Sequence, residues 1–294
     1  MKKIFKDSFL QDEFEKKGYV IVDFIEKNKI EFLIDLFYKS HPQLPNSGFH
    51  SDTFLGDLNY KKKLSDTIKE TLHDSYESVL TDYNALGGAF LYKIPSSNSQ
   101  LNAHQDWTIV DEENYVAINC WVPLCDTNIE NGTLYVLPGS HFLNFKSYRA
   151  PTIPFFFEGN EDIIQKHLIP IELKMGQAII LNESLIHYSS PNKSKNIRIA
   201  ITSGVISANT PMIFYYNDKD YVEVYEVDYD FLLSFRDFNR DIYTRPNGKL
   251  LRKINSSYNT LERRQLNNTI DMMYKKAGMD KPTTSIINKI KKWF

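Results

Sequence analysis

Between Tyr83 and Tyr216 the apolar residues stop recurring at helical spacing and fall into short runs suited to strands. No other feature constrains the fold of this chain as strongly. Seven runs carry the change, at residues 89–94, 115–124, 133–136, 169–173, 178–181, 198–205 and 212–215. Turn residues separate them: Pro95-Ser96-Ser97-Asn98, Asn131-Gly132, Pro138-Gly139, Met175-Gly176 and Ser190-Pro191-Asn192. Many short strands at turn-rich spacing predict a double-sheet jelly roll or a small barrel.

Helical patterns flank this stretch. Asp7-Ser8 can cap a short helix that carries Phe9, Leu10 and Phe14 on one face and stops at Gly18. A β-like run follows at 19–24. Residues 26–39 place Ile30, Leu33, Ile34 and Phe37 at helical spacing, ahead of Pro42 and Pro45. A third helix is expected over 58–80, where Leu64, Ile68, Leu72 and Val79 recur on one side. After Val222 the sequence turns helix-prone again. No repeat, low-complexity tract or Gly/Ser linker divides the 294 residues, so one domain is expected. Its expected plan is mainly β with flanking helices: a helical part at 1–83, a jelly-roll core at 84–216, and a helical, basic part at 217–294.

Charge and composition exclude several functions. Residues 245–294 hold 12 Lys and Arg against 3 Asp and Glu, whereas the remainder holds 23 against 34. The chain as a whole is therefore not a basic nucleic-acid binder, although its C-terminal part carries a local basic surface. Hydrophobic residues at 42% and charged residues at 24% are those of a globular protein. The apolar runs fall short of the roughly 18–20 residues that span a bilayer, so no transmembrane segment is expected. The basic start, Met1-Lys2-Lys3, is not followed by a long apolar stretch, which argues against a secretory signal and for a cytoplasmic address. Cys120 and Cys125 cannot build a disulfide framework or a cysteine zinc site, and they read as small buried hydrophobes. In residues 285–294, Ile286, Ile287, Ile290, Trp293 and Phe294 share a helical face opposite three lysines. That face would pack on the β core; the alternative is contact with an anionic membrane surface or an acidic carrier protein.

The chemistry concentrates in Asn102-Ala103-His104-Gln105-Asp106. Residues two apart in an extended segment project to one side, so His104 and Asp106 would point together. His187 follows the apolar run 178–181 and precedes a turn. Two histidines and one carboxylate, leaving open positions, are the ligands of non-haem Fe(II) oxygenases. Taken alone, His-x-Asp is also compatible with an ordinary polar pair. Arg198 lies 11 residues beyond His187, across a turn long enough for a hairpin that would return it to the same mouth. Its planar fork suits a carboxylate, and its neighbours Ile197, Ile199, Ala200 and Ile201 are apolar, so the charge must face something that compensates it. A surface acid could also play that part.

Together with Trp121-Val122-Pro123-Leu124-Cys125-Asp126, the segment from Asn131 to His141, Gly176-Gln177 and His187-Tyr188-Ser189-Ser190-Pro191-Asn192, these residues resemble the phytanoyl-CoA dioxygenase-like Fe(II)/2-oxoglutarate-dependent oxygenases. The resemblance runs from about Tyr83 to Ile206. It implies a double-stranded β-helix, Fe(II), O2, and oxidative decarboxylation of 2-oxoglutarate to succinate and CO2. It implies His104, Asp106 and His187 as iron ligands and Arg198 as the oxoglutarate clamp. Ser189 matches a hydroxyl that assists the clamp, while Asn102 and Trp121 look like neighbours of the cosubstrate pocket. Gln105 is a candidate substrate contact, with packing as its alternative. Gln177 stands where family members often carry Asp, in a turn. His141 belongs to a structural turn in this family and is not expected to bind iron. His41, His50, His73 and His167 lack a carboxylate at useful spacing and read as solvated or capping residues.

Related halogenases lack the carboxylate ligand, so Asp106 favours hydroxylation over chlorination. The expected substrate is a small molecule, a natural-product intermediate, an amino acid or peptide, a carrier-borne group or a lipid-like compound. Two other readings share the fold: a non-oxidative cupin-like metal enzyme (an isomerase or hydrolase), and a jelly-roll binding module without turnover.

Overall fold

The computed structural model describes residues 2–54, 57–143, 148–236, 241–255 and 260–282. The N-terminal part runs α1 (Ser8–Lys17), β1 (Tyr19–Asp23), α2 (Lys27–Ser40), β2 (Gly48–Ser51), α3 (Leu58–Thr71) and α4 (His73–Val79). The middle holds β3 (Tyr83–Ile94), β4 (Leu101–His104), β5 (Ala117–Pro123), β6 (Leu134–Val136), α5 (Glu161–His167) and β7 (Ile169–Ile171). It continues through β8 (Gln177–Asn182), β9 (His187–Ser189), β10 (Arg198–Ser207) and β11 (Met212–Asn217). Last come β12 (Tyr221–Val227), α6 (Tyr229–Leu233), β13 (Lys249–Asn255) and α7 (Arg263–Lys276).

Local chemistry explains the helix ends. The Asp7 carboxylate accepts the N–H groups of Phe9 and Leu10, and α1 stops at Gly18, whose φ of +83° suits glycine. The helix expected over 58–80 is two helices, broken at Leu72. Thr67 and Thr71 turn their hydroxyls back onto the carbonyls of Lys63 and Thr67, which competes with the helical ladder just before the break.

Six strands form one antiparallel sheet in the order β1-β8-β5-β10-β3-β2, and four form a second in the order β4-β9-β6-β7. Strand alternation gives the larger sheet two apolar faces. Val22, Phe90, Val122, Ile180 and Ile201 pack with Leu33, Phe37, Ile68 and Tyr76 of the helices. Leu33, Phe37, Ile68 and Ile201 are fully buried, and each such side chain contributes roughly 1.5–3 kcal/mol. On the opposite face Trp121, Ile179, Leu181 and Ala200 meet Leu134, Val136 and Ile171 of the smaller sheet. The two sheets thus face each other as a jelly roll, with helices outside the larger one.

One expectation fails. Residues 217–294 are not simply helical, because β12 and β13 pair with β11 in a third, three-stranded antiparallel sheet. The acids and bases of this region read as helix formers, yet they act across strands. Glu223 is 3% exposed and meets Lys253 at 3.0 Å and Arg245 at 3.1 Å. Cross-strand pairing of this kind overrides intrinsic helix preference. The third sheet joins an apolar cluster through Ile213, Tyr215, Val222 and Val224, with Ala150, Ile153, Tyr148 and Trp107 on the other side. Helix α7 covers the outer face of the four-stranded sheet, burying Leu266, Ile270, Met273 and Tyr274 among Ala103, Tyr135, Ile186 and Tyr188. The amphipathic stretch 285–294 lies outside the described residues. Among the described residues no helix is long and apolar enough to cross a membrane.

Candidate metal centre and its cationic neighbour

The two histidines meet because β4 and β9 are antiparallel neighbours, with His104 directly opposite His187. Between Leu101 and His104 the register shifts, so β4 holds one residue more than its partner. Such a bulge re-aims side chains. The imidazole centroids lie 4.2 Å apart. His104 Nδ1–H donates to the Asn102 carbonyl at 2.7 Å, and His187 Nδ1–H donates to the Leu185 carbonyl at 3.0 Å. A carbonyl only accepts, so both protons sit on Nδ1 and both Nε2 lone pairs are free. Those Nε2 atoms lie 3.9 and 3.8 Å from Asp106 Oδ1. Burial, and then the neighbouring His187, push His104 down to about 4, so it is neutral at pH 7. One ligand atom from each of His104, Asp106 and His187 lies within 4.8 Å of the others, and together they could hold a metal ion. The donor chemistry fits a divalent first-row metal bound on one side, with the remaining positions open.

Asp106 follows the end of β4 and is fixed by residues the sequence reading did not identify. Its Oδ2 accepts from Asn119 Nδ2 at 3.0 Å, while Asn119 Oδ1 accepts from Thr202 Oγ1 at 2.8 Å. That relay leaves Oδ1 for the histidines. The Asp106 N–H donates to the Glu183 carbonyl at 2.9 Å, and the Asp106 carbonyl accepts from Arg149 Nε at 2.8 Å. Arg149 also grips Glu112 through its NH1 at 2.8 Å. The Glu183 carboxyl is buried; desolvation first, and then the Asp106 charge, hold its pKa well above the usual carboxylate range. A signal for Asn119 and Thr202 existed. Each is a polar residue whose neighbours two positions away on the same strand face are apolar or small: Ala117 and Trp121 for Asn119, Ala200 and Gly204 for Thr202.

Arg198 opens β10 and is 1% exposed. The expected hairpin does not form. β9 belongs to the four-stranded sheet and β10 to the six-stranded one, so residues 190–197 carry the chain between sheets. The guanidinium carbon lies 5.4 Å from the Trp121 ring centroid, and NH1 donates to the Leu91 carbonyl at 3.4 Å. Its Nε is buried without a hydrogen-bond partner among the described residues. Burial pushes Arg198 down to about 10, so it stays charged at neutral pH. Directly across the ladder on β3 stands Lys93, fully buried, whose Nζ donates to the Ser189 carbonyl at 3.0 Å and the Ser190 carbonyl at 2.5 Å. Burial, and then Arg198, hold Lys93 well below the usual lysine range. Among the described residues both side chains bond to carbonyls and neither is paired with a carboxylate. Ser189 is buried two residues beyond His187 on the same strand, which places both on one face. Arg198, charged and buried with no carboxylate beside it among the described residues, makes a site for an anion.

The remaining candidates divide. Trp121 is buried against Arg198. Asn102 is exposed and orients His104 through its carbonyl, while its side chain accepts from Gln100 at 3.3 Å. Gln105 is buried and donates to the Ser184 carbonyl, bracing the turn that leads to His187. His141 sits in the turn Ser140–Phe142, where its Nε2 donates to the Glu15 carbonyl at 3.0 Å, facing α1 rather than the His104–Asp106–His187 cluster. His41 corrects the expectation of a solvated residue: its Nε2 meets Asp52 Oδ1 at 2.9 Å and its side chain is 8% exposed. Asp52 is 11 residues away in sequence, and β2 folds it back. Cys120 is buried, Cys125 is half-buried, and both are free thiols.

The family model described as phytanoyl-CoA dioxygenase (PhyH) matches residues 14–200. The chain belongs to this family, whose members use Fe(II), 2-oxoglutarate and O2. It is 29% identical over 173 residues to a phytanoyl-CoA dioxygenase domain-containing protein 1 homolog of Dictyostelium discoideum, covering 56% of this chain and 61% of the relative's length. With phytanoyl-CoA dioxygenase 1 of Oryza sativa subsp. japonica it shares 26% over 220 residues, covering 67% and 76% respectively. Among solved structures it is similar to the alpha-ketoglutarate-dependent carbocyclase SnoK, with TM-score 0.51 and 12% identity over 70% of this chain and 86% of that one. It also resembles the epimerase SnoN, solved with Fe3+, alpha-ketoglutarate and nogalamycin RO, with TM-score 0.50, 16% identity and coverage of 70% and 85%. These two structural likenesses concern the fold.

Proposed function

We propose that this protein is an Fe(II)- and 2-oxoglutarate-dependent dioxygenase that hydroxylates an unactivated C–H bond of a small-molecule, natural-product, amino-acid, peptide or lipid-like substrate. The balanced reaction takes substrate, O2 and 2-oxoglutarate to hydroxylated substrate, succinate and CO2. The observation that carries this reading is the pair of imidazoles whose Nδ1 protons are held by backbone carbonyls, leaving two Nε2 lone pairs and one Asp106 oxygen directed at a common point.

In this reading His104, Asp106 and His187 hold Fe(II), which when bound supplies O2 activation and C–H oxidation. The carbonyls of Asn102 and Leu185 keep both histidines in the ligating tautomer. Asn119 and Thr202 hold Asp106 so that one oxygen faces the histidines. Arg198 binds the distal carboxylate of 2-oxoglutarate bidentately, with Trp121 and Ser189 beside it. Along the inner face of β10, Ala200 separates Thr202 from Arg198. Asp106 fills the position that a halide would need, which supports hydroxylation as the outcome.

The test is to incubate purified protein with Fe(II), ascorbate and 2-oxoglutarate, with and without a metabolite library, and to measure succinate together with any gain of 16 Da. Succinate release that depends on iron, and rises with one library fraction, supports the assignment. An isomerase, hydrolase or inert binding module would release none, and that result refutes it. A chlorinated product in saturating chloride would refute the hydroxylase outcome alone.

A further inference from the structure

We infer that the His41–Asp52 pair is a proton-dependent clasp that holds residues 42–52, with β2 among them, against α2 and β3, and that loosens as the pH rises. The device lies in the helix layer, away from the metal centre, and does not depend on the reading of that site.

His41 caps the C-terminus of α2, and both of its ring nitrogens face acceptors. Nδ1 lies 2.9 Å from the Phe37 carbonyl, and Nε2 lies 2.9 Å from Asp52 Oδ1. A neutral imidazole carries one N–H and can satisfy only one of the two. The pair as it stands therefore holds one proton beyond a neutral histidine and an ionised aspartate. Its surroundings favour that proton. The ring stacks on Phe37 at 4.4 Å and 23°, and it sits at a helix C-terminus, where a cation is stabilised. Once the proton leaves, a ring lone pair must face either the Asp52 carboxylate or the Phe37 carbonyl. Asp52 is 2% exposed, and its Oδ2 has no hydrogen-bond partner among the described residues. Moving this carboxylate into water relieves both the repulsion and the desolvation.

The segment that would move is lightly fastened. β2 has 4 residues, lies at the edge of its sheet next to β3, and is half-buried throughout. Around the pair stand other titratable groups. Tyr92 on β3 meets His41 edge-on at 5.1 Å and is pushed up to about 12 by burial and then by Asp52. Burial also raises Tyr60 on α3, so both tyrosines stay neutral near pH 7. Lys61 on α3, lowered by burial, donates from Nζ to the carbonyls of Thr53 and Phe235. His50 on β2 stacks on Tyr92 at 5.1 Å, with Nε2 bonded to the Ser47 carbonyl inside the same segment. For His41 itself, burial lowers the pKa, but the Asp52 bond and charge and the Phe37 carbonyl raise it above 6.5 overall. The clasp is thus closed below 6.5 and loosens as pH climbs through the folded value.

The experiment is hydrogen exchange by mass spectrometry on the full chain from about pH 6 to about pH 8.5, with each rate corrected for the intrinsic pH dependence of amide exchange. In wild type, protection of peptides within 42–52 should fall toward the limit of about tenfold per pH unit that one proton sets, while peptides from β8 hold constant. Asp52→Asn offers an amide that can donate to Nε2 of a neutral ring, so its protection should not change with pH. His41→Gln should flatten the response as well, whereas His50→Gln should leave it as in wild type. If His41→Gln fails to fold, Asp52→Asn carries the comparison. A flat wild-type profile, or a fall shared equally by β8, would overturn the inference. So would a fall that persists in Asp52→Asn or in folded His41→Gln, or one that His50→Gln abolishes.

Discussion

The six-stranded and four-stranded sheets position their functional groups by different means. In the larger sheet β3 runs for 12 residues and β10 for 10, and their ladder places Arg198 opposite Lys93 and Ala200 opposite Leu91. Asn119 and Trp121 alternate on the inner side of β5 in the same way. There a side chain's place follows from its count along a long, well-anchored strand. In the smaller sheet β4 has 4 residues and β9 has 3, too few for the ladder to fix anything alone. The two imidazoles depend on local bonds: Nδ1 to a carbonyl two residues earlier, a bulge, and Gln105 against Ser184. Rigid register suits a charge that must meet a distant carboxylate, whereas short local bonds suit ligands that must converge on one point. The anion half of the site should therefore tolerate loss of one neighbour better than the metal half does.

Four measurements would break or sharpen that contrast. His187→Ala removes one of three proposed ligands from the less redundant half; metal titration should show Fe(II) binding lost and 2-oxoglutarate turnover abolished. Full turnover would disprove the ligand assignment. Arg198→Ala should raise KM for 2-oxoglutarate by roughly 30-fold or more, about 2–5 kcal/mol, because the partner carboxylate is left unpaired. The metal affinity measured alongside should change far less, and equal losses would erase the division between the sheets. Asn119→Ala frees Asp106 Oδ2 from its anchor and should weaken metal binding by about 10–100-fold, as expected for a support behind a ligand. An unchanged affinity would show that the Asp106 backbone contacts suffice.

The smallest effect concerns the helix layer outside the larger sheet. Burial lowers the pKa of His41, but the Asp52 hydrogen bond and charge, with the Phe37 carbonyl, raise it above its ordinary 6.5 overall. A group whose folded pKa is raised stabilises fully below 6.5 and loses that contribution as pH climbs through the folded value. Denaturation followed from pH 6 upward should show stability falling by no more than about 1.4 kcal/mol per pH unit from this one proton, with a shallower slope in His41→Gln. Parallel slopes would remove His41 as the cause.

The sequence yielded the long-strand half well and the short-strand half only in part. Runs such as 89–94, 115–124 and 198–205 matched real strands because β-branched and apolar residues alternate there over many positions. Three-residue strands such as β6, β7 and β9 carry almost no period, so His187 was legible only from its place between the apolar run 178–181 and the turn after it, and from the family resemblance. Lys93 was missed because a lysine in a strand ordinarily faces water, and nothing local reveals that the opposite residue is Arg198. The third sheet was missed for a related reason: what holds Glu223 lies more than twenty residues away, at Arg245 and Lys253. Asp52 beside His41 is the same kind of contact.

Helix α7 bears on how the molecule is made. It lies late in the chain, yet Leu266, Ile270, Met273 and Tyr274 fill the outer side of the sheet that carries both histidines. Its backbone also presses on the Pro138-Gly139 turn, where a Cβ at Gly139 would meet the Met273 carbonyl at 2.4 Å. During synthesis the strands of both sheets leave the ribosome before this cover does. Until residues 263–276 emerge, Ile186, Tyr188 and Ala103 remain wet on one side, and the short strands have little apolar burial to hold them. The half proposed to bind cosubstrate can therefore take shape on the nascent chain, while the half proposed to bind metal gains its apolar cover only when α7 arrives.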